Sequence, residues 1–445
     1  MIWTIAQREF LEYLKSLRFL TGFLVTIALV ALSTVINVSD YTERLSDYST
    51  ARKEMGGDTY PLVLFRPPEV LSTLVQGLDR TLGSKASLTT LENPTRTTGY
   101  MESYALQHHR FVAGFSSVDF AFVVRIIMSL LVIFLAYNTV AGEKSAGTLR
   151  LVLSHAVPRY AVLLGKTAGG LMLLLVSLCA SLAVALLILI TNPAIALTGS
   201  DWVRILAMGF ISALFLVTIF ALSIVVSVLV DRPSTSLLIL LQAWIMLVVL
   251  YPAGAILLAE QWRPLPGTQE LADRKKTAFQ PFENEYDHLR KAFSDSLRKT
   301  AHVPRDIELR VHDLDVTRAA LNHGLDIELA GEENAQTRLA ASIAIFSPAA
   351  LYDQAMMRLA RTGAEEFDKF IEGVGRAWVD LAAITRSRIT DRENRSRAHP
   401  PEFTPLREPD DESLLASVPQ VIVMMFLTLI PFMAAHAKFN GKDVR

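Results

Sequence analysis

Residues Ala136–Thr167, AYNTVAGEKSAGTLRLVLSHAVPRYAVLLGKT, lie between two long apolar runs, one entering from Phe120 and the other leaving through Ile190. The segment carries Lys144, Arg150, Arg159 and Lys166 against a single carboxylate, Glu143. A short basic segment between two membrane spans is expected on the cytoplasmic side. Within it, Gly147-Thr148 followed by Leu149, Leu151, Val152 and Leu153 predicts a short helix with a dense apolar face. Such a helix at the water boundary must rest on the membrane or on a partner protein.

The composition agrees with this reading. With 445 residues, 51% hydrophobic content and a mean hydropathy of +0.34, the chain is too apolar for an ordinary soluble enzyme. At 20% charged residues it is too polar to lie wholly in a bilayer, so membrane spans must alternate with water-facing segments. The net charge of −1 lacks the basic footprint of a nucleic-acid binder. A single cysteine, Cys179, excludes an intramolecular disulfide and a cysteine-based zinc site.

Outward from the basic segment, the chain divides as follows. Residues 1–18 interleave Ile2, Ile5, Phe10, Leu14 and Leu17 with charges, as an interfacial amphipathic helix does. Residues 19–36 form a first span. A cleaved signal peptide with Ala31-Leu32-Ser33 as its site is the rival, but the apolar run and charged leader are long for one, so a retained anchor is expected. Residues 37–119 form a first extracytoplasmic domain with turn signals at Gly56-Gly57 and Pro67-Pro68. The second span, 120–140, carries Arg125 near its outer end, where its side chain is expected to snorkel to the interface. The cytoplasmic loop covers 141–167, the third span 168–190 and the fourth 205–230, which ends at a tight Asp231-Arg232-Pro233 turn. In the fifth span, 236–258, Pro252 is expected to kink or break the helix.

Residues 259–413 form a second extracytoplasmic domain, and this one reads as mainly helical. Tyr286, Leu289, Phe293 and Leu297 recur at helical spacing, as do Phe367, Phe370, Val374, Trp378 and Leu381. Ser347-Pro348 reads as a helix start and Gly363 as a stop. Ile307, Leu309 and Val311 alternate like a short strand, which leaves an α+β insertion open. Arg386 to Pro409 reads as a loosely ordered return to a last span at 414–435, with Pro431 as a kink, and a tail at 436–445 bearing Lys438, Lys442 and Arg445. The expected fold is therefore an α-helical polytopic membrane protein with six transmembrane helices. Both termini and every short basic segment fall on the cytoplasmic side of the inner membrane.

No catalytic constellation emerges. Leu164-Gly165-Lys166-Thr167 invites a phosphate-loop reading, but that motif needs a glycine where Tyr160 stands. Neither HExxH nor G-x-S-x-G occurs. His108, His109, His288, His302, His312 and His323 have no ligand spacing and read as solvated surface residues, as do the neighbours Asp313 and Asp315. The third, fifth and sixth spans hold no ionisable group centrally, which argues against an ion-coupled carrier. Gln242 and Trp244 either line a path or pack helices.

Glu143-Lys144-Ser145-Ala146-Gly147-Thr148-Leu149, then Leu153-Ser154, Val157-Pro158-Arg159 and Gly165-Lys166, resembles the cytoplasmic loop of ABC-2 type exporter permeases, departing from it at His155. Leu64-Phe65-Arg66-Pro67-Pro68 with Leu71-Ser72 and Gly77, and later Ser347-Pro348 through Arg361-Thr362-Gly363, resemble a subgroup with large extracytoplasmic domains. The resemblance implies that the loop is a coupling helix docking on a separate ABC ATPase, present in two copies, which binds the ATP and Mg. Leu149, Leu151 and Val152 would supply contacts, and Gly142 and Gly147 would shape the loop. Glu143 would pair with an ATPase cation or cap the helix, and Thr148, Pro158 and Arg159 complete the motif. A second permease, identical or paralogous, is implied, as are an elbow helix before the first span and short re-entrant elements after the fifth. Two other readings stand beside the exporter: a mechanical relay to an envelope partner, and a membrane-anchored binding or sensor protein without a motor.

Overall fold

A lone apolar segment can satisfy its backbone in a bilayer only as a helix, and among the described residues of the computed structural model six helices are long and apolar enough to cross one. It describes residues 2–54, 62–79, 85–88, 118–148, 158–300, 302–390 and 410–441. Helix α1 (Ile2–Leu14) is followed by α2 (Leu17–Glu54), which runs well past residue 36 into the first insertion. That insertion contributes an antiparallel pair, β1 (Leu62–Phe65) and β2 (Lys85–Leu88), with Leu62 opposite Leu88. The extension of α2 is braced by Arg44, which bonds Asp40 at 3.0 Å and Asp79 at 2.6 Å, while Arg66 takes the other oxygen of Asp79 at 2.8 Å.

The remaining spans are α3 (Phe120–Ser145), α4 (Arg159–Thr191), α5 (Gly199–Leu229), α6 (Pro233–Trp262) and, after α11 (Asp410–Ala416), α12 (Val418–Gly441). The loop expected over 141–167 is thus helical at both described ends. Thr198 caps α5 in a reciprocal box with Asp201. Pro252 does not break the fifth span. A π-helical turn over Ile245–Leu250 precedes it and absorbs the missing donor, so the helix continues to Trp262. Trp244 is a packing residue here: its indole donates to the Ser129 hydroxyl of α3 at 2.8 Å.

No re-entrant element directly follows the fifth span. Instead α7 (Thr268–Thr300) and α8 (Arg305–Ile343) form a long antiparallel pair, joined by α10 (Ala364–Thr390) on the other side of α8. Ile307, Leu309 and Val311 lie in α8 rather than in a strand, because α8 packs against both α7 and α10 and all three are at least partly buried by that packing. His312, expected at the surface, is buried, with Nε2 3.1 Å from the Ala382 carbonyl of α10, and burial lowers its pKa. Asp315 is buried beside it in sequence and accepts from the Tyr286 hydroxyl of α7 at 2.8 Å. Burial pushes the Asp315 carboxyl up to about 6. His288, His302 and His323 are exposed as expected, whereas His108 and His109 lie outside the described residues.

The element that enters among the spans is α9 (Pro348–Ala360), between α8 and α10. Its Tyr352 stacks on Phe215 of α5 with ring centroids 4.8 Å apart. Phe215 lies roughly 24 Å along α5 from Gly199 at 1.5 Å per residue. Arg125 therefore does not snorkel. It is buried and ion-paired with Asp353 of α9. Of the stretch Arg386 to Pro409, residues up to Thr390 continue α10, and 391–409 lie outside the described residues.

Candidate functional site

One end of the helical frame carries α1, the last turns of α3, the start of α4 and the turn between α5 and α6. Helix α1 lies on α4 where Gly165 and Gly169, one turn apart, remove the intervening side chains. A Cβ at Gly169 would fall 2.7 Å from both the Ala6 carbonyl oxygen and Glu9 Cβ, and one at Gly165 would fall 2.7 Å from Ile5 Cβ. Small residues at this spacing let two helix backbones approach closely. On the opposite face of α4, Gly170 admits the Phe220 ring of α5, which a Cβ would meet at 2.7 Å.

Lys166 occupies the centre of this junction. Its ammonium lies 2.5 Å from Glu9 of α1 and 2.8 Å from Glu143 of α3, and its side chain is 7% exposed. A buried cation requires such compensation. Glu143 therefore pairs within the chain, and its second oxygen, Oε2, is buried without a hydrogen-bond partner among the described residues. Lys144 points the other way and caps the C-terminus of α5. It donates to the Val228 carbonyl and, at 3.0 Å, to the Val230 carbonyl, with Asp231 at 3.6 Å. Ser227 of α5 accepts from the amides of Val140 and Ala141 at 3.1 Å each and donates to the Tyr137 carbonyl at 3.1 Å. Tyr13 of α1 shares a 2.9 Å hydrogen bond with Thr139, and Arg18 donates to the Tyr137 hydroxyl.

Beyond this knot the chain turns outward. Gly147 adopts φ +74° and ends the helix, a left-handed conformation that glycine takes at no steric cost. Thr148 is exposed, and its hydroxyl donates to the Glu143 carbonyl at 3.4 Å. Pro158 is exposed and precedes α4 in an extended conformation. Arg159 donates to the Asn440 carbonyl of α12 at 3.3 Å. Leu149, Leu151 and Val152, with His155, lie outside the described residues.

The structure thus brings Glu143, Gly147, Thr148, Pro158 and Arg159 to one end of the frame, gives partners to the motif's own Lys144 and Lys166, and adds two residues from outside the motif, Glu9 and Ser227. Glu9 gave no signal, because an acidic residue on an amphipathic helix reads as solvated. The readable signal was the Gly165–Gly169 spacing, which marks the seat of α1.

The comparisons agree with this geometry. A curated relative, the probable ABC transporter permease protein NosY of Stutzerimonas stutzeri, is 40% identical over 85 residues, which cover 17% of this chain and 31% of that protein. The match therefore spans under a third of that relative's length. The family profile described as ABC-2 family transporter protein matches residues 3–444. Matched over nearly its whole length, and built of six candidate spans, the chain is an integral membrane protein that belongs to the ABC-2 transporter family.

Proposed function

We propose that this chain is the permease subunit of an ATP-driven ABC-2 type exporter in the inner membrane, with the basic end, both termini and the 141–167 segment in the cytoplasm. A separate ATPase, in two copies, binds ATP and Mg and docks on that segment, and a second permease completes the path. The observation that carries this reading is the Lys166 junction. Together with Lys144 and Ser227 it fastens the docking segment to α1, α4 and α5 at once, so that a push there reaches several spans rather than bending a loose loop. Leu149, Leu151 and Val152 form the contact face, Gly147 sets the turn, and Glu143 holds the segment to Lys166.

The test is co-purification from native membranes in mild detergent, with the associated proteins identified by mass spectrometry. An ABC ATPase is expected in stoichiometric amount and is expected to be lost in Leu149→Asp. Absence of any ATPase, even after crosslinking within the membrane, would return the chain to an anchored binding protein. A second reading, relay of motion to an envelope protein, draws support from the length of α7 and α8, which have 33 and 39 residues. ATPase stimulation by transported substrate in vesicles supports export, and stimulation by an envelope protein alone supports relay.

A further inference from the structure

Helix α9 connects the spans to the outer helical layer. Its cap residue Ser347 donates to the Leu247 carbonyl in the π-helical turn of α6 at 2.7 Å and accepts from the Ala350 amide at 3.2 Å. Tyr352 shares a 3.1 Å hydrogen bond with Ser212 of α5, and Arg358 donates to the Ala416 carbonyl beside α12. The links to the outer layer are short: Ala344–Phe346 and Ser347 toward α8, and Arg361–Gly363 toward α10. Arg361 takes φ 57°, a left-handed residue that closes α9 tightly. Segment 70–79 clamps the same corner. Leu78 donates to the Thr362 carbonyl at 2.9 Å, and a Cβ on Gly77 would lie 2.5 Å from the Thr362 hydroxyl.

Span α3 meets this connection at Arg125. Its side chain and that of Asp353 are 5% and 14% exposed, and the buried carboxylate of Asp119 acts electrostatically on both. A turn away, Asp119 caps α3, accepting from the amides of Phe122 at 2.7 Å and Gln76 at 2.9 Å, and Phe120 donates to the Leu74 carbonyl at 3.1 Å. An apolar pair would hold two helices at least as firmly as a buried ion pair. The ionic pair adds orientation, since either charge left alone is costly. The other end of α3 is the docking turn at Glu143 and Lys144.

We propose that the Arg125–Asp353 pair is the joint through which displacement of α3 is passed to the outer helical layer, with Arg125 and Asp353 as positioning residues. The proposal rests on the exporter reading for the source of that displacement. The joint fixes α9 to α3. The short links on either side of α9 then oblige α8 and α10 to follow.

The experiment uses the native complex in lipid nanodiscs, in a Cys179→Ala background, with spin labels at Ile327→Cys on α8 and Trp202→Cys at the start of α5, both exposed. Pulsed electron resonance reads the distance distribution before and after trapping with ATP and vanadate. The parent is expected to shift on trapping. Asp353→Asn is expected to lose most of that shift while its ATPase rate stays within about twofold, and the charge swap Arg125→Asp with Asp353→Arg is expected to restore it. A full shift in Asp353→Asn would overturn the joint. So would a folded charge swap that does not shift, and that arm decides alone where Asp353→Asn fails to fold. A parent that ignores ATP would overturn the exporter reading and the joint together, whereas a responding parent with an equally responsive Asp353→Asn removes only the joint.

Discussion

At the basic end, α1 and α4 approach until the Ala6 carbonyl and Gly169 leave no room for a methyl group, and the buried cation Lys166 has two carboxylate partners. In the outer layer, α7, α8 and α10 meet through a seam containing His312, Asp315 and Asn322. There His312 Nδ1, Asp315 Oδ2 and Asn322 Nδ2 are buried without hydrogen-bond partners among the described residues. The first interface combines close contact with a paired cation and leaves one buried atom, Glu143 Oε2, without a partner among the described residues, whereas the second leaves these three and gives up more stability to them. On the exporter reading, this packing lets the basic end receive force without deforming. The outer layer is held less tightly within itself and more firmly at its base.

Removing the cation should have the largest effect. Lys166→Met leaves Glu9 and Glu143, with side chains 13% and 26% exposed, without their cation, and a loss of about 3–4 kcal/mol is expected. Thermal melting of the purified protein checks this, and the double variant with Glu9→Gln should recover part of the loss. Gly169→Val tests contact rather than charge. Its added atoms meet backbone, which cannot swing aside, so a penalty of about 3 kcal/mol is expected. Freer proteolysis of α1 should accompany it. If both variants melted like the parent, the tight end would not be tight.

A smaller effect, opposite in direction, is expected in the outer layer. The folded-state pKa of Asp315, about 6, lies above the ordinary 3.8, so the folded protein holds this proton more tightly than the unfolded chain. Its contribution is therefore present at low pH and lost as pH rises from about 4 to about 6. Asp315→Asn keeps an acceptor for Tyr286 and removes the charge. It should match the parent below about pH 4 and exceed it by about 2 kcal/mol above about pH 6. Melting curves across that range decide it, and a pH-independent difference would contradict the assignment. The burial-lowered pKa of His312 acts with the opposite sign in both proteins, so it cancels in the comparison. Smallest of all, breaking the exposed Arg310–Glu285 pair, with side chains 65% and 46% exposed, should change stability by less than about 1 kcal/mol.

The sequence made the six spans legible because each holds a long apolar window that no soluble element needs. The basic segment between the second and third spans was legible from its charges, and the turn that ends its first helix from Gly147. The bounds of helix α9 were legible too, from Ser347-Pro348 at its start and Gly363 after its end, but its place among the spans was not, since thirteen residues of mixed polarity, PAALYDQAMMRLA, look like any external helix. For the same reason Arg125 looked like a snorkelling residue: its carboxylate partner, Asp353, is 228 residues away in the sequence. Only tertiary structure could pair them. The apparent strand at Ile307, Leu309 and Val311 failed for a related reason, because alternation marks a half-buried strand only when one face is buried, and α8 is flanked on two sides.

The 33 residues of α7 and 39 of α8 give rods roughly 50 and 58 Å long at 1.5 Å per residue, and α8 leads by a short link into α9, a helix of only thirteen. A rod of that length is a lever arm with a short fulcrum. A rocking of α9 by about 10° would sweep the far tip of α8 through about 10 Å, several times any movement at the root, given the 1.5 Å rise that sets the arm. Such gain trades force for travel. On the proposed joint, the tip of α8 is therefore suited to repositioning something across a distance, and poorly suited to squeezing it.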